Sequence, residues 1–411
     1  MRTRLIILFV CHCATSVVSA QPFQFTKVVD TNTVVPGTDS KFISFPAFYF
    51  PVVTAGRVTF TGNYRTQSAT RTAIFDATPG GLQLVVGPGT PQPGTSGGFS
   101  NLPQGGPYVS TSGVATSFSG GGNGVSGIYR AAAGSISVVA DTHTMVPDNS
   151  GRLFTFIAGE SHTDGASTVM RGISGSVEGL YVKPSGGVLE RVADTAITPP
   201  GGTRYQSFLR WQADGAVTYF TADGGPASNG LYRSVGGVAS VVVRAGQGVP
   251  GTGGELTRVG EFSNQGDDFA FSATWTGSTG NSIFTLIDGQ VRLVAASGQP
   301  APGGGVFGLL GVPMIWNGTV VFLDYDRNIM YTNARNGLER VVGQGDTIDG
   351  RRISQFFQFG PGARYGNTVS FYFSTGGGSP YDAVYTVAVP GPHAAGLLGL
   401  AAAAAARRRR G

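Results

Sequence analysis

Charge is scarce in this chain. Lys, Arg, Asp and Glu together make up 12% of its 411 residues, about half the usual ~25%. Cysteine occurs twice, as Cys11 and Cys13, both within the first twenty residues. Everything after them is without disulfides and thiol chemistry. Between residues 21 and 389 the histidines are His143 and His162, nineteen apart with no cysteine near them; that pattern does not spell a zinc site. No Gly-x-Ser-x-Gly elbow joins a strand to a helix, and the His-Glu-x-x-His and phosphate-loop spacings are missing. No apolar stripe of 3.6-residue period runs between residues 21 and 389, which excludes a helical core. Disorder is excluded by what remains, because 41% of the residues are hydrophobic and such a chain can bury a core.

What the chain has is a repeat. Val28-Val29-Asp30-Thr31 runs into Pro36-Gly37, and the phrase returns around Val85 to Pro93, Val139 to Pro147, Val192 to Pro200, Val243 to Pro250, Val294 to Pro302 and Val341 to Asp349. Counted from the proline position, the steps are 57, 54, 53, 50, 52 and 47 residues. A fixed period of this length marks a propeller, solenoid or array.

Each unit carries four short apolar segments. First comes an aromatic stretch: Phe42 and Phe45, Phe99, Phe154 and Phe156, Phe208, Phe262, Phe307, Phe356 and Phe357. An alternating segment follows, such as Arg57-Val58-Thr59-Phe60, with the period of two that a strand requires; its third-unit counterpart near Ser167 to Met170 reads as degenerate. The third is an apolar-aromatic pair: Ile74-Phe75, Ile128-Tyr129, Leu180-Tyr181, Leu231-Tyr232, Ile283-Phe284, Met330-Tyr331 and Val384-Tyr385. Gly-rich turns, among them Asp288-Gly289 and Asn336-Gly337, join it to the fourth, because such pairs accept the positive φ of a tight hairpin. Seven units of four strands predict an all-β, seven-bladed β-propeller. The chain opens with an extra fourth-type strand at Phe25 to Val29 and closes after a third-type strand ending near Val387, so the first should complete the last blade and remove an open edge. An open β-solenoid is the alternative.

The two ends read as addresses. Arg2 and Arg4, the apolar stretch from Leu5, and Val18-Ser19-Ala20 before Gln21 have the layout of a secretory signal, with cleavage between Ala20 and Gln21. This divides the chain into a signal at 1–20, a propeller at 21–389 and a tail at 390–411. The tail sets Val389-Pro390-Gly391-Pro392 before thirteen small and apolar residues, then Arg407, Arg408, Arg409, Arg410 and Gly411. It resembles the PEP-CTERM sorting signal of bacterial envelope proteins, a Pro-Glu-Pro motif, an apolar helix and an Arg cluster; Gly391 stands where that signal has Glu. The resemblance implies a membrane helix, export to the envelope or beyond it, and an exosortase-like sorting peptidase as partner. The repeats, through Val139-Ala140-Asp141-Thr142 and Gly127-Ile128-Tyr129, are similar to those of a group of bacterial secreted proteins with such tails. That resemblance implies an extracellular propeller and supplies no catalytic residues. The six arginines of the two ends also account for the pI of 9.3, since without them 22 basic residues face 23 acidic ones. No nucleic-acid partner is expected.

Candidate chemistry is thin. Asp324-Tyr325-Asp326-Arg327-Asn328 opens like a calcium loop, but Ile329 stands where that loop needs glycine and Arg335 where it needs an acid. Asp30, Asp141 and Asp194 recur at one place in three units, where each can bond its own backbone two residues on. Asp214, Asp223, Asp267 and Asp268 are carboxylates in strand-end loops, and a glycosidase needs two of them across a cleft. His143 and His162 read as exposed loop histidines, and Trp275 and Tyr381 as exposed loop aromatics suited to contact. No metal, cofactor or catalytic residue is assigned. The expected function is a monomeric, non-enzymatic surface or matrix protein that binds polysaccharide or another surface protein; a secreted polysaccharide hydrolase or lyase with carboxylates at the channel is the alternative.

Overall fold

The computed structural model describes residues 23–390, apart from breaks at 47–49, 68, 103–109, 114, 149, 226–227, 279, 335–336, 357–359, 361 and 376–380. Ala20, Gln21, Gly391, Pro392 and Arg407 to Arg410 therefore lie outside the described residues. Seven antiparallel sheets of four or five strands follow one another along the chain, with a two-stranded ribbon, Thr347–Ile348 with Arg351–Arg352, before the last. They are the blades of a seven-bladed β-propeller, and we number them 1 to 7 from the sheet of Phe42–Ser44 onward. Blade 4 shows the plan: Ser207–Asp214 innermost, then Val217–Asp223, Gly230–Val235 and Val238–Arg244. In blades 1 and 7 the inner strand is split in two, as Phe42–Ser44 with Val52–Thr54 and as Gln355–Phe356 with Arg364–Tyr365. The segment read as degenerate is a full strand of blade 3, Ser167–Ser174.

The ring closes. Gln24–Asp30 is the outer strand of blade 7 and pairs with Asp382–Ala388, setting Phe25 opposite Val387 and Val29 opposite Val384. Blade 7 also bonds blade 1: the Val53 N–H donates to the Gly362 carbonyl at 2.9 Å and the Ser370 hydroxyl to the Pro51 carbonyl at 2.8 Å. A solenoid would leave its first and last units apart.

One aromatic arrangement repeats in the blade cores. Phe60 stands opposite Phe75, Phe118 opposite Tyr129, Phe220 opposite Tyr232, Phe271 opposite Phe284, Phe322 opposite Tyr331 and Phe371 opposite Tyr385. Their centroids lie 5.4–6.2 Å apart, with ring planes 17–28° from parallel. Blade 3 has Met170 opposite Tyr181. A third ring meets the outer one of the pair edge-on at 4.8–5.4 Å: Phe42, Phe99, Phe154, Tyr205 and Phe307. Offset and edge-on rings satisfy the aromatic quadrupole as well as burying area. That third ring needs room on the second strand. A Cβ on Gly62 would lie 2.5 Å from the Phe42 ring, and one on Gly172 2.5 Å from Phe154. The sequence named the wrong residue for this position in three blades: Tyr205 takes it in blade 4 and the non-aromatic Leu256 and Ile353 take it in blades 5 and 7, rather than Phe208, Phe262 or Phe356. The Leu256 N–H donates to the Gln247 carbonyl and that of Ile353 to Asp346, just as that of Phe99 donates to Thr90.

The recurring turn phrase is a hydrogen-bonded β-turn in all seven units. Thr33, Thr90, Thr144, Ile197, Gln247, Gln299 and Asp346 each donate their N–H to the carbonyl three residues back. Asp30 and Asp141 do what the sequence suggested: one carboxylate oxygen accepts the N–H two residues on, at 3.0 Å from Asn32 and 3.0 Å from His143. Asp194 accepts that of Ala196 at 2.8 Å. Three units without aspartate hold the turn from its far end, where Thr90, Gln299 and Asp346 side chains accept the N–H of Gly87, Ala296 and Gly343. This explains how the turn recurs while the Asp does not.

Candidate functional site

The two faces of the ring differ in what they carry. Each turn phrase leads to the next inner strand on one face, which also holds the connection between the second and third strands; we call it the turn face. The tight hairpins between first and second strands, such as Asp214-Gly215 and Asn317-Gly318, lie on the other, the hairpin face.

Along the first and second strands, polar side chains reach from one blade to the next. The Ser161 hydroxyl donates to Ser117 at 2.9 Å. The Ala213 N–H donates to His162 Nδ1 at 3.0 Å. The Ile315 N–H donates to Ser263 at 2.9 Å. Arg57 binds Thr116, and Arg364 donates to the Thr319 carbonyl at 2.8 Å. Several of these links span 50 to 52 residues, about one repeat, because equivalent positions of successive blades face each other. Burial strengthens such bonds and makes an unpaired partner costly.

Three of these side chains form one chain of charge. The inner strands of blades 3 to 6 each carry a β-bulge, between Ile157 and Ser161, Phe208 and Arg210, Val259 and Phe262, and Gly311 and Met314. A bulge re-aims the side chains beside it. Here it turns Glu160, Arg210 and Glu261 toward one another: the Arg210 guanidinium lies 3.8 Å from Glu160 and 3.0 Å from Glu261. The other Glu261 oxygen accepts the Val312 N–H at 3.0 Å. Nothing in the sequence singled these residues out, because their partners stand a whole repeat away.

Beside Glu261 a cleft of about 360 Å³ opens toward the turn face, lined by Leu209, Arg258, Ser272, Asn281 and Tyr325 among others. Two glycines admit its walls: a Cβ on Gly260 would lie 2.7 Å from the Ser272 hydroxyl, and one on Gly311 2.5 Å from the Tyr325 ring. Arg258 is exposed at the edge and has no ion-pair partner among the described residues. A cation, an amide and a phenol side by side suit a polar, hydroxyl-rich ligand.

Of the carboxylates named from sequence, Asp223 lies apart from the others. Asp214 pairs with Val217 at one end of its hairpin, while Asp223 pairs with Ser207 at the other, about 20 Å away at ~3.3 Å per residue. Asp214 accepts the Asn264 amide at 3.2 Å, and Asp267 the Tyr219 hydroxyl at 3.2 Å; Asp268 opens a strand. In the calcium-like loop, Asp324 is fully buried and accepts the Gly308 N–H at 3.1 Å. Asp326 accepts that of Leu309 at 2.9 Å. Both carboxylates therefore brace backbone.

Three other readings are corrected. His162 is half-buried rather than exposed, and desolvation pushes its pKa down to about 4, while His143 is exposed as expected. Tyr381 is buried, with its hydroxyl donating to Asp30 at 2.9 Å and Arg351 3.8 Å over its ring. Trp275 ends a strand, half-buried, and donates to Ser282 at 3.1 Å. Of the tail motif, Val389 is fully buried in blade 7 and its N–H donates to the Asn367 carbonyl at 2.6 Å. No helix among the described residues is long and apolar enough to cross a membrane.

Among solved structures, the chain is similar to one from a nidogen/laminin complex at 9% identity, covering 69% of this chain and 88% of that one, with a TM-score of 0.34. The β-propeller domain of the Trilobed protease from Pyrococcus furiosus, which has an open velcro topology, is similar at 12% identity, over 76% of this chain and 100% of that one, with a TM-score of 0.36. The α-L-arabinofuranosidase of Fusarium graminearum in complex with arabinobiose is similar at 12% identity, over 88% and 98%, with a TM-score of 0.32. Likeness at this level carries no statement about function. No curated protein matches. A profile described as a family of unknown function, DUF7453, matches residues 11–196 and again residues 126–351, an overlap natural to a tandem repeat. With most of its length matched in this way, the chain belongs to the DUF7453 family.

Proposed function

We propose that this chain is an exported, monomeric, non-enzymatic propeller, held at the cell envelope by residues 394–411, that binds surface polysaccharide in the cleft beside Glu261. The observation that carries the non-enzymatic reading is the pairing of the inner charged groups. Glu160 and Glu261 are both tied to Arg210, and Asp214 and Asp267 are held by the Asn264 amide and the Tyr219 hydroxyl. The exposed Arg258, with Asn281 and Tyr325, gives the cleft hydrogen-bonding chemistry for a hydroxyl-rich or acidic sugar. The signal at 1–20 and the PEP-CTERM-like tail support export and anchoring. In that reading the four arginines stay cytoplasmic, and an exosortase-like peptidase acts beyond Val389, since the buried Val389 belongs to blade 7.

A glycan array on the full-length protein tests the binding. The expected result is retention of a subset of glycans without their cleavage, lost in Arg258→Ala. Shortened glycans released from the array would instead establish the hydrolase or lyase. For anchoring, deletion of residues 394–411 should convert a membrane-fractionating protein into a released one. Full-length protein in the cytosol would contradict the reading.

A further inference from the structure

The chain leaves the propeller at one defined place. Ala388 pairs with Gln24 on one side and Thr368 on the other, and the Val389 N–H is bonded to Asn367 in the hairpin turn of blade 7. Both ends of the described chain thus emerge on the hairpin face, at blade 7. Twenty-one residues follow Pro390, the apolar run and the arginines among them.

The surface around that exit is unusual. In blade 6 the hairpin turn is Trp316-Asn317-Gly318-Thr319, and in blade 7 it is Tyr365-Gly366-Asn367-Thr368; neither carries a charge. Trp316 and Tyr365 touch across the two blades, with centroids 5.5 Å apart, and Tyr365 is 44% exposed. The Gln265 amide beside them is bonded to Asn317. On the same face, blades 3 to 5 present acids instead, at the turns of Asp164, Asp214, Asp267 and Asp288. Uncharged aromatic rings sit where the chain exits, and the acidic hairpins of blades 3 to 5 sit away from it, with Glu339 at the start of blade 6's outer strand. Trp and Tyr are the side chains that settle at a membrane–water interface, whereas carboxylates are repelled by an anionic lipid surface.

We infer that the hairpin face of blades 6 and 7 is a lipid-contacting surface, with Trp316 and Tyr365 in the headgroup layer. The inference rests on the anchoring proposed above. It sets the ring tilted on the bilayer with blades 6 and 7 down, and it points the cleft of Arg258 and Glu261, which opens on the turn face, away from the membrane.

The test uses full-length protein reconstituted into phosphatidylcholine vesicles whose acyl chains carry bromine, a contact quencher of tryptophan. Of the three tryptophans, Trp211 is buried and Trp275 ends its strand at the turn face. Flotation with the vesicles reports anchoring; fluorescence reports orientation. The expected result is co-flotation with emission lower than in unbrominated vesicles, by at most the share of one tryptophan in three, and loss of that difference in Trp316→Phe. Co-flotation without quenching, or with quenching that persists in Trp316→Phe, overturns the inference and leaves the anchoring standing. Failure to float overturns the anchoring, and the inference with it.

Discussion

Phe220 and Tyr232 face each other across two strands of blade 4, with the Tyr205 ring edge-on to both. Truncating either to Ala should cost about 3–5 kcal/mol in denaturant titrations, whereas Tyr365→Ala, at an exposed ring, should cost well under half as much. Equal losses would contradict the assignment of core and rim. Overpacking tests the same cores from the other side: Gly172→Ala drives a Cβ into the Phe154 ring and should cost about 1–3 kcal/mol, with relief in the double variant Gly172→Ala/Phe154→Leu. A proton tests His162. Its folded pKa of about 4 lies below the unfolded ~6.5, so the unfolded chain takes up the proton first. The neutral histidine's contribution is complete above about pH 6.5 and declines as pH falls toward 4, by up to roughly 3 kcal/mol. His162→Gln, which keeps an acceptor for the Ala213 N–H, should remove that part of the pH slope. An unchanged slope would place the histidine in water.

At the scale of the element, the turn phrase is a device with interchangeable parts. In unit 3 the Asp141 carboxylate accepts both the His143 N–H and the Thr144 hydroxyl, at 3.0 and 2.8 Å. Asp141→Ala should cost about 2 kcal/mol, at roughly 1 kcal/mol per bond, and added calcium should change neither form's melting temperature. A metal-dependent rise in the wild type would restore the ion-site reading. These elements were largely legible in the sequence, because strand alternation and Gly-rich turns are local signals. The residue at the third-ring position of blades 4, 5 and 7 was not: Tyr205 precedes its strand, and Leu256 and Ile353 keep the position without the aromatic type. Tyr381 was misplaced for a related reason, since the Asp30 that buries it lies 351 residues away.

Over the whole molecule, period and blade count were readable because the repeat fills the chain, and ring closure because the surplus strand at one end matched the deficit at the other. The Glu160–Arg210–Glu261 chain and the cleft beside it were not readable. They arise from bulges in successive inner strands, and a bulge leaves no mark in a single strand's sequence. The account stands on the closed ring, which sets both chain ends on one face and the cleft on the other. Thr26 and Thr386 lie directly opposite each other in the closing pair, at a cross-strand spacing that a disulfide can bridge. The direct measurement is oxidation of Thr26→Cys/Thr386→Cys in a chain whose Cys11 and Cys13 are serine. The account predicts a single intramolecular disulfide, seen as faster migration on a non-reducing gel. The link spans 360 residues and should stabilise the fold by up to about 5 kcal/mol. Free thiols after oxidation, or disulfides only between chains, would mean that the first strand does not complete the last blade.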